Sequence, residues 1–179
     1  FLSFFFGLIS ILSFFNVIYS YYLNLYLNLD TYYFSLIISL ILSIIFYKIK
    51  KFERKPNIYK KILTVFLGYI LLPLILSIPF YFSIYNLTFL NSFFEAISGF
   101  TSTGFTTFDN IKHIDQSLIL WRSSTQWIGG LYFLFSIILL IDIYDENFKK
   151  TLTNFISFDS SEFFKQAIKI FLLYSSLTL

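Results

Sequence analysis

Residues 89–107 read FLNSFFEAISGFTSTGFTT, a short apolar segment followed directly by a run of hydroxyl residues and glycine. The apolar side chains of the first part recur on one helical face, at Leu90, Phe93, Phe94 and Ile97. A helix of about eleven residues rises too little to cross a hydrocarbon core of about 30 Å. Apolar segments of this length are typical of re-entrant elements, which enter the membrane and return on the same side.

Polar residues mark both ends of this short helix. Asn91 or Ser92 is placed to cap its start, because short polar side chains accept the backbone N–H groups of a first turn. Gly99 is placed to end it, since a glycine commonly follows the last turn of a helix. On spacing alone, the hydroxyl run after Gly99 is equally typical of an ordinary polar loop.

The hydroxyl run also has the composition of an ion filter. Non-helical backbone at membrane depth persists only where protein buries it or where it lines a water-filled path. A potassium ion gives up its water where carbonyl oxygens replace it, and glycine permits the backbone orientation that this needs. The end of the preceding helix directs about half a negative charge at the cation. We therefore expect potassium as the transported ion, backbone oxygens as its ligands, no organic cofactor and no enzymatic activity.

The composition of the chain indicates a membrane protein. Of its 179 residues, 57% are hydrophobic and 13% are charged, with a mean hydropathy of +0.74. A soluble domain carries about 25% charged residues. The chain contains no cysteine, which excludes disulfides and thiolate metal sites.

The apolar runs predict an all-α, polytopic fold. We expect membrane spans at about 2–23, 32–47, 62–84 and 118–141, and a further span beginning near 164. The first two spans would form a tight helical hairpin. Residues 48–61 hold more than half of the 13 Lys and Arg, which predicts that this segment is cytoplasmic and that the filter loop faces outside.

The chain contains no methionine and ends within an apolar run, so we interpret it as a fragment with residues missing at both ends. A weak internal repeat places residues 59–74 over 164–179, with matches such as Phe66 to Phe171 and Tyr69 to Tyr174. Repeated hairpins are common in transporters. The repeat therefore favours a second copy of the unit that begins at the third span.

Three stretches together resemble a known family. FFEAISGFTSTGFT at 93–106, LWRS at 120–123 and TQWIGGL at 125–131 closely resemble the first pore repeat of the TrkH/KtrB family of potassium uptake proteins. The resemblance implies four linked helix–pore loop–helix repeats around one pore, preceded in TrkH-type members by a hairpin. It divides the chain into a transmembrane hairpin (1–49), a basic cytoplasmic linker (50–61), the first M1-P-M2 pore repeat (62–141), a cytoplasmic loop (142–163) and the start of a second repeat (164–179).

The resemblance also implies the ion ligands. They are the main-chain carbonyls of Thr101, Ser102, Thr103, Gly104 and Phe105. Ser102 and Thr103 are similar to the positions that contact the ion most directly. One departure lies at Tyr132, where the family pattern has another glycine, and the fourth span lacks the usual proline.

Further residues are candidates for support of the filter. Glu95 and Arg122 are the charges nearest the membrane interior, where a charge is expensive and usually paired. Arg122 would pair with Glu95 or with pore-loop carbonyls, or it would lie at the outer headgroup level. We expect Gly99 to support the filter. Gly129 and Gly130 would permit close helix packing or, less simply, form a hinge.

The resemblance implies an assembly in the plasma (inner) membrane. The expected partners are a second copy in a homodimer, a cytosolic nucleotide-binding regulator of the TrkA/KtrA type and membrane lipid, with no nucleic acid. Two other functions stay open. One is a tetrameric cation channel of separate subunits, and the other is a non-conducting membrane scaffold.

Overall fold

The computed structural model describes residues 1–50, 58–85, 87–108, 114–140 and 160–178. Its elements are α1 (Leu2–Tyr22), α2 (Leu29–Lys50), α3 (Ile58–Ser83), α4 (Phe89–Phe100), α5 (Gln116–Leu140) and α6 (Ser160–Thr178). These described ranges contain helices and connecting segments and no strand, so the predicted all-α class is confirmed. Most of the predicted basic linker and most of the predicted loop 142–163 lie outside the described residues.

Four helices are long and apolar enough to cross a membrane, namely α1, α2, α3 and α5. The shortest, α1, has 21 residues, and 21 residues at about 1.5 Å each match a hydrocarbon core of about 30 Å. By contrast, α4 has only 12 residues. The four predicted spans are thus helices of the expected length, and the chain is an integral membrane protein.

A short turn joins α1 to α2. Asn24 has a φ of 58°, in the left-handed region that asparagine tolerates better than most residues. The N–H of Leu25 donates to the Ser20 carbonyl at 2.8 Å, and the N–H of Asn24 donates to the Tyr21 carbonyl at 3.3 Å. This pair of bonds is the Schellman arrangement that closes a helix end. It lets the chain reverse within the few residues before Leu29.

Serine side chains join the two helices of this hairpin. The hydroxyls of Ser3 and Ser43 each donate to the other residue's carbonyl, at 2.8 and 2.9 Å. Nearer the turn, the hydroxyls of Ser13 and Ser35 lie 3.2 Å apart. Small hydroxyl residues let membrane helices approach closely and bond across the contact. The pairing runs antiparallel, so α1 and α2 form the predicted hairpin.

The chain forms two compact units, Phe1–Tyr132 and Phe133–Leu179. The first unit has a dense apolar core whose largest fully buried members include Phe5, Phe6, Tyr32, Leu72, Leu76, Phe80, Phe100, Trp121 and Tyr132. Large apolar side chains such as Phe14, Ile41 and Phe66 are exposed on its outer surface. Apolar surface of this kind suits contact with lipid. The second unit contains the end of α5 and α6.

Tyr132 is accommodated by a glycine on the facing helix α3. Its side chain is fully buried, and its hydroxyl donates to the Val65 carbonyl at 2.9 Å. A Cβ atom added at Gly68 would collide with the Tyr132 hydroxyl. The bulky side chain of Tyr132 is therefore matched by the absence of a side chain at Gly68, and its polar end has a partner.

Candidate functional site

The helix before the hydroxyl run begins earlier than the sequence predicts. Thr88 is its N-cap, and the Thr88 hydroxyl accepts the backbone N–H of Asn91 at 3.3 Å. Asn91 and Ser92 both lie inside α4, so the prediction that one of them caps the helix is wrong. The ring of Phe89 stacks on that of Phe93 with centroids 6.1 Å apart, which gives the first turn an apolar contact. With 12 residues, α4 is nevertheless close to the length of about eleven residues that the sequence predicts.

The end of α4 also differs from the prediction. The helix continues through Phe100, and the left-handed residue after it is Ser102, with a φ of 55°. The N–H of Ser102 donates to the Gly99 carbonyl at 2.9 Å, and the N–H of Thr103 donates to the Ser98 carbonyl at 3.0 Å. These bonds form a Schellman closure around Ser102. The prediction that Gly99 ends the helix is therefore wrong.

Gly99 and Gly129 instead lie where α4 and α5 touch. A Cβ at Gly99 would collide with the Thr125 hydroxyl on α5, and a Cβ at Gly129 would collide with the Phe100 carbonyl. Both glycines are buried. Small residues let membrane helix backbones approach this closely. Gly130 is half-buried on the same helix. The two buried glycines set how near the end of α4 lies to α5.

The segment 101–107 that follows is exposed in the described structure. Several hydroxyl contacts tie it to the last turn of α4. Ser98 donates to the Phe105 carbonyl at 2.6 Å, and Thr103 donates to the Ser98 carbonyl at 3.1 Å. Gly104 has a φ of 79°, which only glycine adopts without strain. The segment is thus exposed and non-helical, and these contacts hold it against the end of α4; it is called the strand below, although it is not a β-strand.

The five backbone carbonyls predicted as ligands have different surroundings. The Phe105 carbonyl accepts the Ser98 hydroxyl, and the Gly104 carbonyl lies 3.5 Å from Nη2 of Arg122. Within the described ranges, no hydrogen-bond donor reaches the carbonyls of Thr101, Ser102 or Thr103. Three consecutive carbonyls therefore keep their lone pairs available, at the C-terminal end of a helix.

Glu95 lies behind this segment. Its side chain is fully buried, and Oε1 accepts hydrogen bonds from the Thr106 hydroxyl at 2.8 Å and from the hydroxyl and the backbone N–H of Thr107. Its other oxygen, Oε2, lies 3.4 Å from Nε of Arg122. The side chain of Arg122 is only 15% exposed. The structure thus brings together Glu95, Arg122 and the segment, with the guanidinium between the carboxylate and the Gly104 carbonyl.

A family model described as a cation transport protein, TrkH, matches residues 33–163, well over half of the chain. The chain belongs to the TrkH family. This agrees with the resemblance found in the sequence, and a family of transport proteins agrees with the prediction that the chain is not an enzyme.

The TrkH-family chain is similar to several curated proteins. It is 28% identical over 127 residues to an uncharacterized cation transporter of Methanocaldococcus jannaschii, covering 70% of this chain and 27% of that protein. It is 39% identical over 56 residues to the Trk system potassium uptake protein TrkH of Escherichia coli, covering 31% of this chain and 12% of that protein. For TrkG of the same organism the identity is 41% over 46 residues, covering 26% and 10%.

The matched part of the chain therefore covers only 10% to 27% of the length of these relatives. No solved structure matches it significantly.

Four residues of this TrkH-family site were missed by reasoning from the sequence. They are Ser98, Thr106, Thr107 and Thr125. The first three make hydrogen bonds that hold the segment, and Thr125 packs against Gly99. One signal was available: hydroxyl residues flank the run on both sides, at Ser98 and at Thr106. Thr125 gives no local signal, because it meets Gly99 only after the helices pack.

Proposed function

We propose that this chain forms part of a potassium uptake protein, and that the ion passes along the backbone carbonyls of residues 101–105. The observation that carries the proposal is the exposed strand at 101–107, fixed from behind by Ser98 and Glu95. The membership of the chain in the TrkH family and its similarity to Trk system potassium uptake proteins support the same activity.

Within this strand we assign the strongest ion contacts to Thr101, Ser102 and Thr103. Their carbonyls receive no donor from the described part of the chain. Carbonyl oxygens replace the water that a potassium ion sheds on entry. The end of α4, which adds about half a negative charge, stabilises a cation at this point. Gly104 and Phe105 belong to the same strand. Their carbonyl oxygens already face hydrogen-bond donors, so they would bind the ion more weakly.

Glu95 and Arg122 would fix the far end of the strand. The Glu95 carboxylate accepts hydrogen bonds from Thr106 and Thr107, and the Arg122 guanidinium approaches the Gly104 carbonyl. A buried carboxylate is costly unless it is paired and hydrogen-bonded, and here it is both. We propose that the pair holds the filter open at one width without touching the ion.

One strand does not surround an ion. The other walls of the filter would come from three further repeats of a longer chain, as the family resemblance implies. The family resemblance also implies that two copies of the protein form a homodimer, and that a cytosolic nucleotide-binding regulator of the TrkA/KtrA type binds to it. A tetrameric channel of separate subunits uses the same strand geometry and differs only in where the other three strands come from.

We place the protein in the plasma (inner) membrane with the filter segment outside. Lys and Arg are concentrated in residues 48–61, which would remain cytoplasmic by the positive-inside rule. Because α3 then exits outward and α5 returns, the segment between them lies on the outer side.

Potassium or rubidium flux tests the proposal. The full-length protein, made in a bacterium that lacks its own uptake systems, should restore growth at low potassium and carry rubidium in vesicles. Gly104→Ser should abolish the flux, because serine at a φ of 79° is strained. The control is Gly7→Ser, since a Cβ there makes only ordinary contact with Ser43.

Each result has a clear meaning. Flux that survives Gly104→Ser would refute the filter assignment. A well-folded protein without any flux would favour the scaffold.

A further inference from the structure

A chain of polar contacts links the α1–α2 hairpin to the start of α5. The side-chain N–H of Asn28 donates to Oδ2 of Asp115 at 3.0 Å, and the Ser117 hydroxyl donates to the same oxygen at 2.9 Å. The Tyr32 hydroxyl donates to the Ser117 hydroxyl oxygen at 3.1 Å. Asn28, Tyr32 and Ser117 are all buried. Two residues of the hairpin therefore hold two residues at the beginning of α5.

The contact continues from Tyr32 into the core. The rings of Tyr32 and Trp121 lie with centroids 5.9 Å apart, and Nε1 of Trp121 donates to the Leu76 carbonyl at 3.0 Å. Both rings are fully buried. Trp121 thus contacts the hairpin on one side and α3 on the other. These contacts fix how α5 is rotated about its own axis near Trp121.

Arg122 is the next residue along α5 after Trp121. Successive side chains on a helix point about 100° apart, since a turn takes 3.6 residues. Trp121 meets the hairpin and α3, while Arg122 meets Glu95 and the Gly104 carbonyl. A rotation or shift of α5 at Trp121 therefore moves the guanidinium relative to the filter segment.

We propose that Asn28 and Tyr32 are positioning residues, which hold the start of α5 so that Arg122 stays against the filter segment. Neither residue touches the ion. This gives the hairpin, which lies outside the pore repeat, a part in ion selectivity. The selectivity readout rests on the proposed function, whereas the placement of Arg122 does not.

Tyr32→Phe removes only the hydroxyl that bonds Ser117 and leaves the ring on Trp121. The matched control is Tyr33→Phe, because Tyr33 is exposed and its hydroxyl meets only that of Tyr21 at 3.4 Å among described contacts. In vesicles of the full-length protein, we expect Tyr32→Phe to raise sodium flux relative to rubidium by up to about fivefold, the factor that results if the whole free energy of one hydrogen bond is lost from selectivity. Tyr33→Phe should leave the ratio unchanged.

A second readout needs no transport. Backbone deuterium exchange over residues 101–107 should be faster in Tyr32→Phe than in the wild type and unchanged in Tyr33→Phe. If the wild type carries no potassium, the proposed function fails, yet the exchange data still test the positioning. If Tyr32→Phe lowers the unfolding temperature and leaves both the exchange and the flux ratio at wild-type values, the network only stabilises the fold and the inference is overturned.

A partner swap provides a variant with an internal rescue. Asn28→Asp alone sets two carboxylates against each other and should reproduce the effect of Tyr32→Phe. Adding Asp115→Asn again gives one amide donor and one carboxylate acceptor, with the two positions exchanged. Both the flux ratio and the deuterium exchange should then return toward wild type. Failure of the double variant to recover, with normal protein amounts, would also contradict the inference.

Discussion

Arg122 lies between Glu95 and the segment 101–107, with Nε 3.4 Å from Oε2 of Glu95. The same guanidinium reaches the Gly104 carbonyl at 3.5 Å through Nη2. Neither Oε2 of Glu95 nor Nε of Arg122 has a hydrogen-bond partner in the described structure, so each depends on the other for its electrostatic stabilisation. The two charges therefore act as one unit behind the strand.

A double-mutant cycle tests this unit. Glu95→Gln and Arg122→Gln should each lower potassium uptake at least tenfold, because each leaves the other charge without its partner. The double variant should lose less than the product of the single losses. Uptake is measured at matched amounts of membrane protein. Losses that simply multiply would mean that the two side chains act independently.

The Ser98 hydroxyl is predicted to stabilise the path of the strand. Ser98→Ala removes the donor to the Phe105 carbonyl and leaves the Thr103 hydroxyl with one acceptor fewer. A lost hydrogen bond of this kind costs about 1 kcal/mol, so we expect roughly a fivefold loss of potassium over sodium selectivity.

Ser124→Ala is the control for Ser98→Ala, because the Ser124 hydroxyl bonds the Leu120 carbonyl of its own helix and, among the described residues, no other group. Flux ratios measured in vesicles decide the matter. Equal behaviour of the two variants would remove Ser98 from the filter support.

Ser102 occupies a backbone conformation that favours glycine, with a φ of 55°. Ser102→Gly should therefore raise the free energy of unfolding, by about 1 kcal/mol for relief of a left-handed residue. Ser102→Val should lower it, since a β-branched side chain tolerates this region worst. Thermal unfolding in detergent measures both. Stabilisation by valine would show that the left-handed turn is not formed in the protein.

Gly129 sets the distance between α4 and α5. Gly129→Ala should push the end of α4 away from α5, because the new Cβ would overlap the Phe100 carbonyl. Overpacking of this kind costs about 1–3 kcal/mol, and we expect a lower unfolding temperature together with reduced flux.

Gly7→Ala is the control for Gly129→Ala, since the space beside Gly7 accepts a methyl group. Wild-type stability and flux in Gly129→Ala would contradict the packing role and reopen the hinge interpretation.

The sequence predicted the helices well because long apolar runs leave a membrane chain few other choices. It also predicted the short helix α4. For Arg122 it left two alternatives open, a pair with Glu95 or pore-loop carbonyls and a place at the outer headgroup level, and the described structure has the contact with Glu95. The ends of α4 were predicted wrongly. Thr88, Asn91 and Ser92 are all acceptable caps by residue type, so the local sequence alone does not choose between them.

Gly99 illustrates a second limit. A glycine near a helix end signals either a left-handed residue or a close approach of another backbone, and local sequence does not separate the two. Here the neighbour is Thr125, which becomes visible only when α5 packs against α4. The link between Asn28 and Asp115 is likewise invisible beforehand, because 87 residues separate the two.

The fit of Tyr132 against Gly68 has a consequence for the history of the family. A tyrosine at position 132 needs a glycine at position 68, since any side chain at position 68 would collide with the Tyr132 hydroxyl. A protein with glycine in place of Tyr132 would have no such requirement, and a larger residue in place of Gly68 would fill the space. We expect the two positions to covary across the family, so that neither residue can be exchanged alone without passing through a less stable ancestor.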